Sequence, residues 1–365
     1  MSVGKEKNTS KSNGITRREA LYRVFTVGAI VFSGGHFLRD ITDSLARDDE
    51  QYCGAGDKTP INPNSNSETN EHSEQISINF IRSLEMDESG NLLFIGLSGR
   101  DNPKALIAYD GENAEWCTDE NEQHPKGHVN SIDIGEDGSL YVGTDGEGYF
   151  KYKNGGWTKH TQDGLRDERI YDVLKTSSDG VLIAHFSGVD ADKGGKIYAR
   201  LDLTPEGKSD TRIHSVLQHP TGEMWLGTIG GGVFQLNEGG WTHYGEDIFG
   251  TGNIRDMEFD KKGDIWVAMD GGVGLARFEM GEGKWVMENP PGKHLVDVEL
   301  TANGEPVVAD WQEGAFWNRD GEWVQITDLP SHAIAIGKEG GKFEDAVFVG
   351  TVQNGLVKRY LSEIE

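Results

Sequence analysis

The stretch "DGSLYVGTDGEGYFKYKNGGWTKH" at 137–160 is written again, with drift, as "TGEMWLGTIGGGVFQLNEGGWTHY" at 221–244. Aligned on these two, the chain divides into seven units that begin near Phe80, His128, Arg169, Arg212, Asn253, His294 and His332. The central spacings are 41, 43, 41 and 41 residues, with 48 before them and 38 after. A unit of that length cannot bury its apolar face alone and must stack on its neighbours. A period of about 40–45 residues made only of strand signals predicts an all-β chain, a β-propeller with one four-stranded antiparallel blade per unit. Fifty glycines in 365 residues, set in turn-like dipeptides, fit the many tight turns such a fold needs.

The second unit shows the grammar. "HVNSIDIG" (128–135) reads as a first strand and "EDGS" as a hairpin turn. "LYVGT" (140–144) is a β-branched and aromatic second strand, "GYFKYK" (148–153) an alternating third, and "WTKHT" (157–161) a fourth. Trp157, Trp241, Trp285 and Trp323 open fourth strands and are expected to cover outer blade edges. A small residue closes most second strands: Gly96, Gly143, Gly227, Ala268, Ala309 and Gly350, with His185 breaking the rule in the third unit. Where wedge-shaped blades converge, a larger side chain would hold neighbours apart. The last unit ends with little chain left for a fourth strand. Residues 74–79, "EQISIN", are expected to supply it, so that both chain ends close a seven-bladed ring. Six blades plus a degenerate piece is the alternative count.

Ahead of the repeats, "TRREALY" at 16–22 precedes a mildly apolar run from Val24 to Leu38. With the adjacent Arg17 and Arg18 and the small–x–small site Ser44-Leu45-Ala46, residues 1–46 resemble a twin-arginine export signal. The apolar run is shorter than the ~20 residues a stable span requires, so no membrane span is expected in the mature chain. An amphipathic helix with a chance arginine pair and an uncleaved anchor are the alternatives. Residues 47–73 are polar and rich in Asn, Ser and Pro, and read as a tether. Cys53 lies in the tether and Cys117 in the repeats; outside the cytoplasm they are either paired or two free thiols.

Thirty-five basic against 61 acidic residues give a formal charge of −26, which excludes nucleic acid as a partner. The recurring form, a Val- or Ile-bearing first strand, then D-x-x-G-x-hydrophobic-aromatic-V-G-T, G-G-G-V/Y-F and G-G-W-T, resembles the two-component regulator propeller repeat over roughly 80–360. "TQDGLRDERIYDV" (161–173) matches that family's D-G-L before a new blade. The resemblance implies an extracytoplasmic ligand-sensing module. No kinase accompanies it in this chain.

If each first strand starts near the axis at one face, the unit starts and the loops after "GT" share that face. The irregular stretches "SGRDNPKA" (98–105) and "SGVDADKGGK" (187–196) fall there, and loops on a rigid scaffold carry binding sites. His128, Arg169, Arg212, Asn253, His294 and His332, with Arg82, His214 and Arg255 further in, form a candidate funnel for an anion such as a carboxylate, phosphate or uronic acid. The competing explanation is that these cations neutralise Asp172, Asp256 and Asp297 on the same strands. Asp190 and Asp192 in "DADKGG" offer a candidate calcium or magnesium site, or a solvated acidic loop; no other cofactor is implied. No nucleophile elbow, zinc spacing or phosphate loop occurs. Two functions follow. One is a non-enzymatic module for a small anionic or carbohydrate ligand or another extracytoplasmic protein. The other is a metal-dependent lyase or lactonase of the streptogramin-lyase kind, relying on His128, His294 or His185.

Overall fold

The computed structural model describes residues 80–364 except 100–102, 120, 136, 161–163, 177–179, 195, 202–211, 238, 239 and 251. Its strands form seven sheets, each a meander in which every strand pairs antiparallel with the next. Six sheets have four strands, and the described residues give the seventh three: Ser331–Ile336, Ala346–Thr351 and Leu356–Tyr360. The segment 74–79 expected to complete it lies outside the described residues, as do Arg17, Arg18, the tether and Cys53.

The first strands of the seven sheets are Ile81–Met86, Val129–Ile134, Ile170–Lys175, Ile213–Gln218, Asn253–Phe259, Leu295–Leu300 and Ser331–Ile336. Each packs on the next, and the last packs on the first. The molecule is therefore a seven-bladed β-propeller with its first strands around the axis. Among the described residues no helix is long and apolar enough to cross a membrane; Glu246–Phe249, between blades four and five, is a single turn.

The small residue at the end of each second strand makes room for the next blade. A Cβ on Gly227 would lie 2.4 Å from Cγ2 of Ile254, and one on Gly350 would lie 2.5 Å from Cγ2 of Ile81, across the junction that closes the ring. The third unit obeys the rule too. Asp172 pairs with Ala184, as Ser131 pairs with Gly143, so Ala184 is the small residue and His185 stands one place later. That later place is threonine in three of the seven blades. Thr144, Thr228 and Thr351 donate their hydroxyls to the carbonyls of Gly148, Gly232 and Gly355 at 2.7, 2.7 and 2.8 Å. The repeated G-T-x-x-x-G is thus a self-capped turn. Asp310 does the same work in blade six by accepting from the amides of Gln312 and Glu313.

A second clasp closes the ring on the opposite face. The turn of blade seven at 337–345 reaches the first turn of blade one, where the Phe343 amide donates to Gly90 O at 3.1 Å and the Lys342 amide to Asn91 Oδ1 at 2.8 Å. Phe343 is fully buried there, edge-on to Phe348 and stacked against Tyr109.

Candidate functional site

Every first strand carries a β-bulge near its start. The register skips Arg82, Asn130, Tyr171, His214, Arg255, Val296 and His332 in turn. A bulge re-aims the extra side chain, and all seven line a cavity of about 240 Å3 on the propeller axis. His332 therefore belongs to this inner tier with Arg82, His214 and Arg255. Its expected place in the outer ring is taken by Pro330, whose carbonyl accepts from Val352 as that of Phe80 accepts from Ser98. Asn130, Tyr171 and Val296 complete the tier and, being uncharged, are not marked by the charge pattern of the sequence.

Two His–Arg pairs in this tier are built alike. His214 Nδ1 donates to Arg255 O at 3.1 Å, and His332 Nδ1 donates to Arg82 O at 3.1 Å. Burial and the adjacent guanidinium push both imidazoles down to about 3, so they are neutral at physiological pH. The guanidinia then diverge. Arg255 is paired with Asp270 at 2.7 Å and donates to His214 Nε2 at 3.3 Å. Arg82 has no hydrogen bond or ion pair to its guanidinium among the described residues. The cause is one residue. Asp270 lies opposite Asn253, and the place opposite Phe80 in blade one is Ser98. Ser98 turns instead to His128 Nδ1 at 2.6 Å. Burial lowers the Arg82 pKa from the ordinary guanidinium value, with Asp145 opposing the shift and Arg255 adding to it.

The outer candidates are engaged on the rim. Arg169 makes a two-point pair with Asp167 at 3.0 and 2.8 Å and lies over the exposed ring of Phe186, with Arg212 on the same ring. His294 bonds Asp270 at 2.9 Å and meets the exposed Trp311 edge-on. Asn253 is half-buried where it pairs with Asp270. None of these outer residues lines the cavity.

Below the bulges come two tiers of carboxylates. Asp172, Asp256 and Asp297 follow the bulge directly, and Glu85, Asp133, Glu258 and Glu299 lie two residues further along. The upper carboxylates are not held by the cationic funnel residues. Asp172 accepts from Ser131 Oγ of the preceding blade at 2.7 Å and from the Val216 amide of the following blade at 2.8 Å. Asp256 and Asp297 accept from the amides of Val298 and Ile334, again one blade on. Asp133 takes the Lys175 amide in the same way. These carboxylates are interblade ties. All seven face the channel yet are surrounded by protein and by one another. Burial raises Glu85 to about 8 and Asp172 and Glu258 to about 7, and it raises Asp297 and Glu299 well above the carboxylate range.

The two candidate metal residues, Asp190 and Asp192, stand on a strand rather than in a loop. Gly188–Asp192 is the third strand of its blade, and both aspartates are buried. Asp190 is paired with Arg166 Nε at 3.0 Å and lies 3.3 Å from His185 Nε2. His185 Nδ1 accepts the Ser187 amide, which leaves Nε2 to carry the proton toward Asp190. Asp192 is bonded to the Tyr149 hydroxyl. Among the described residues no group of three or more His, Cys, Asp or Glu is arranged to hold a metal ion. Cys117 is buried and is not a free thiol.

No family model matches the chain, and no curated protein matches it. Solved structures share its fold. The extracellular domain of a protein described as a hybrid two-component system from B. thetaiotaomicron aligns with a TM-score of 0.62 at 15% identity, over 77% of this chain and 40% of that one. Virginiamycin B lyase from Staphylococcus aureus aligns at 0.63 and 12%, over 78% and 95%. The propeller YCF48 bound to a D1 peptide aligns at 0.56 and 16%, over 78% and 94%. The chain spans about 40% of the length of the extracellular domains of two-component and one-component systems that it matches.

Proposed function

We propose that the chain is an extracytoplasmic ligand-binding propeller, directed there by residues 1–46, that takes an anionic group at Arg82 on the propeller axis. The observation that carries this is the contrast between two matched pairs: His214–Arg255 is closed by Asp270, and His332–Arg82 is left open by Ser98. A guanidinium held inside protein without a counter-ion is costly. A carboxylate or phosphate removes that cost through charge-assisted, two-point hydrogen bonds. The neutral imidazole of His332 and the side chains of Tyr171 and Asn130 supply polar walls that do not compete for the anion. The fold shared with extracellular domains of two-component systems supports a sensing role.

Calorimetric titration of the full-length chain with caproate and with inorganic phosphate tests the site. Arg82→Ala is expected to weaken binding about tenfold or more, as loss of hydrogen bonds to a charged group worth about 1.5–3 kcal/mol requires. Arg169→Ala, whose guanidinium is already taken by Asp167, should change it less than about twofold. Undiminished binding in Arg82→Ala would remove the proposal.

One observation favours the lyase alternative. Neutral imidazoles and carboxylates at about 7–8 share one cavity, the range in which general acids and bases operate. Such a lyase would use the axial imidazoles rather than His128, His294 or His185, which lie outside the cavity, and intact recovery of bound ligand separates it from a binding module.

A further inference from the structure

Charge in the axial cavity is sorted by depth. Arg82 and Arg255 sit in the bulge tier, and the carboxylates sit only below it. The lowest tier also contains open groups. Glu85 and Glu299 accept no hydrogen bond and form no ion pair among the described residues. The cation that acts on both, Lys338, forms its ion pair with Glu88 at 3.5 Å. The tier between is different, since Asp172, Asp256 and Asp297 are each occupied by an amide of the next blade. The cavity thus has one unpartnered guanidinium at its upper end, two unpartnered carboxyl groups at its lower end that hold protons until a cation displaces them, and satisfied groups in the middle.

We propose that the cavity takes a small linear zwitterion, its carboxylate at Arg82 and its ammonium between Glu85 and Glu299. This rests on the anion site proposed above and adds the second recognition group. Glu85 lies three residues beyond Arg82 on one strand, and the bulge takes up part of that length. Two to three strand rises place the ends roughly 7–10 Å apart. An α-amino acid, whose charges are adjacent, is too short to reach both ends, whereas an ω-amino acid with several methylenes spans them. A simple anion satisfies only the upper end. The cavity, at about 240 Å3, lies below the range of roughly 300–1,000 Å3 that accepts drug-sized ligands, so the occupant is small.

Four probes and three variants of the full-length chain decide the matter by calorimetry. The probes are ε-aminocaproate, caproate, hexylamine and glycine; the variants are Arg82→Ala, Glu85→Gln and Glu299→Gln. The glutamine replacements keep shape and break no existing hydrogen bond, and a melting curve checks that they fold. We expect ε-aminocaproate to bind at least tenfold tighter than caproate, and glycine and hexylamine to bind more weakly than either. Glu299→Gln or Glu85→Gln should bring ε-aminocaproate down to the caproate level and leave caproate unchanged. If the amino group adds nothing while caproate still depends on Arg82, the zwitterion proposal fails and the anion site stands. If no probe shows dependence on Arg82, both fail.

Discussion

One methyl group decides what can stand at the end of a second strand. Ile254 is fully buried, and its Cγ2 fills the space a Cβ on Gly227 would need, at 2.4 Å. Alanine would normally gain a few tenths of a kcal/mol by restricting the unfolded chain, but an immovable neighbour reverses the sign. Gly227→Ala is expected to destabilise the propeller by about 1–3 kcal/mol in denaturant melts, and a neutral or stabilising result would mean that blades four and five can slide apart. At this scale the sequence was legible where spacing alone decides, as in the glycines. It misled by one position at His185 and by two at His332, because units with drifted motifs give no internal mark for a one-residue bulge. Ser98 was invisible for a related reason: its meaning is the absence of the carboxylate that Asp270 supplies four blades away, and only the register makes the two comparable.

At the scale of elements, the seven first strands and their hairpins follow from alternation and turn chemistry, and these were readable. The acidic stretch 187–196 was not, since it reads as a loop until "GVDAD" pairs as the third strand and buries its carboxylates against Arg166, His185 and Tyr149. The clasp at 337–345 was likewise hidden in what looks like an over-long turn. Phe343 anchors it, and it joins parts of the chain about 250 residues apart. Phe343→Ala should cost about 3–5 kcal/mol. It should also raise hydrogen exchange first in blades one and seven, with blades four and five following only at global unfolding. Uniform loss of protection would show that the clasp is not a separate closure.

For the whole molecule, the axial carboxylates set the response to pH. An unfolded carboxyl ionises near 4, whereas Glu85 in the native ring holds its proton to about 8, Asp172 and Glu258 hold theirs to about 7, and burial raises Asp297 and Glu299 well above their ordinary values. The native state therefore binds more protons than the unfolded state, and stability falls as pH rises through the native values. His214 and His332 act in the opposite sense, but only below about 6.5, where unfolded imidazoles gain protons. Carboxylates with lowered values, such as Asp137 and Asp270, are ionised in both states above about 5. The window from 6.5 to 8.5 isolates the axis. The melting temperature is expected to drop by several degrees across it, and by less in Glu85→Gln. A flat profile would mean that the channel hydrates its carboxylates as bulk water does.

The stacked tiers also make the axis a proton reservoir below the anion site proposed at Arg82. An anion arriving at Arg82 makes the potential below it more negative, and the carboxylates take up protons from solvent. An ammonium group seated among those carboxylates expels them. Occupancy is thus converted into an exchange of protons whose sign records which end of a ligand has reached which depth.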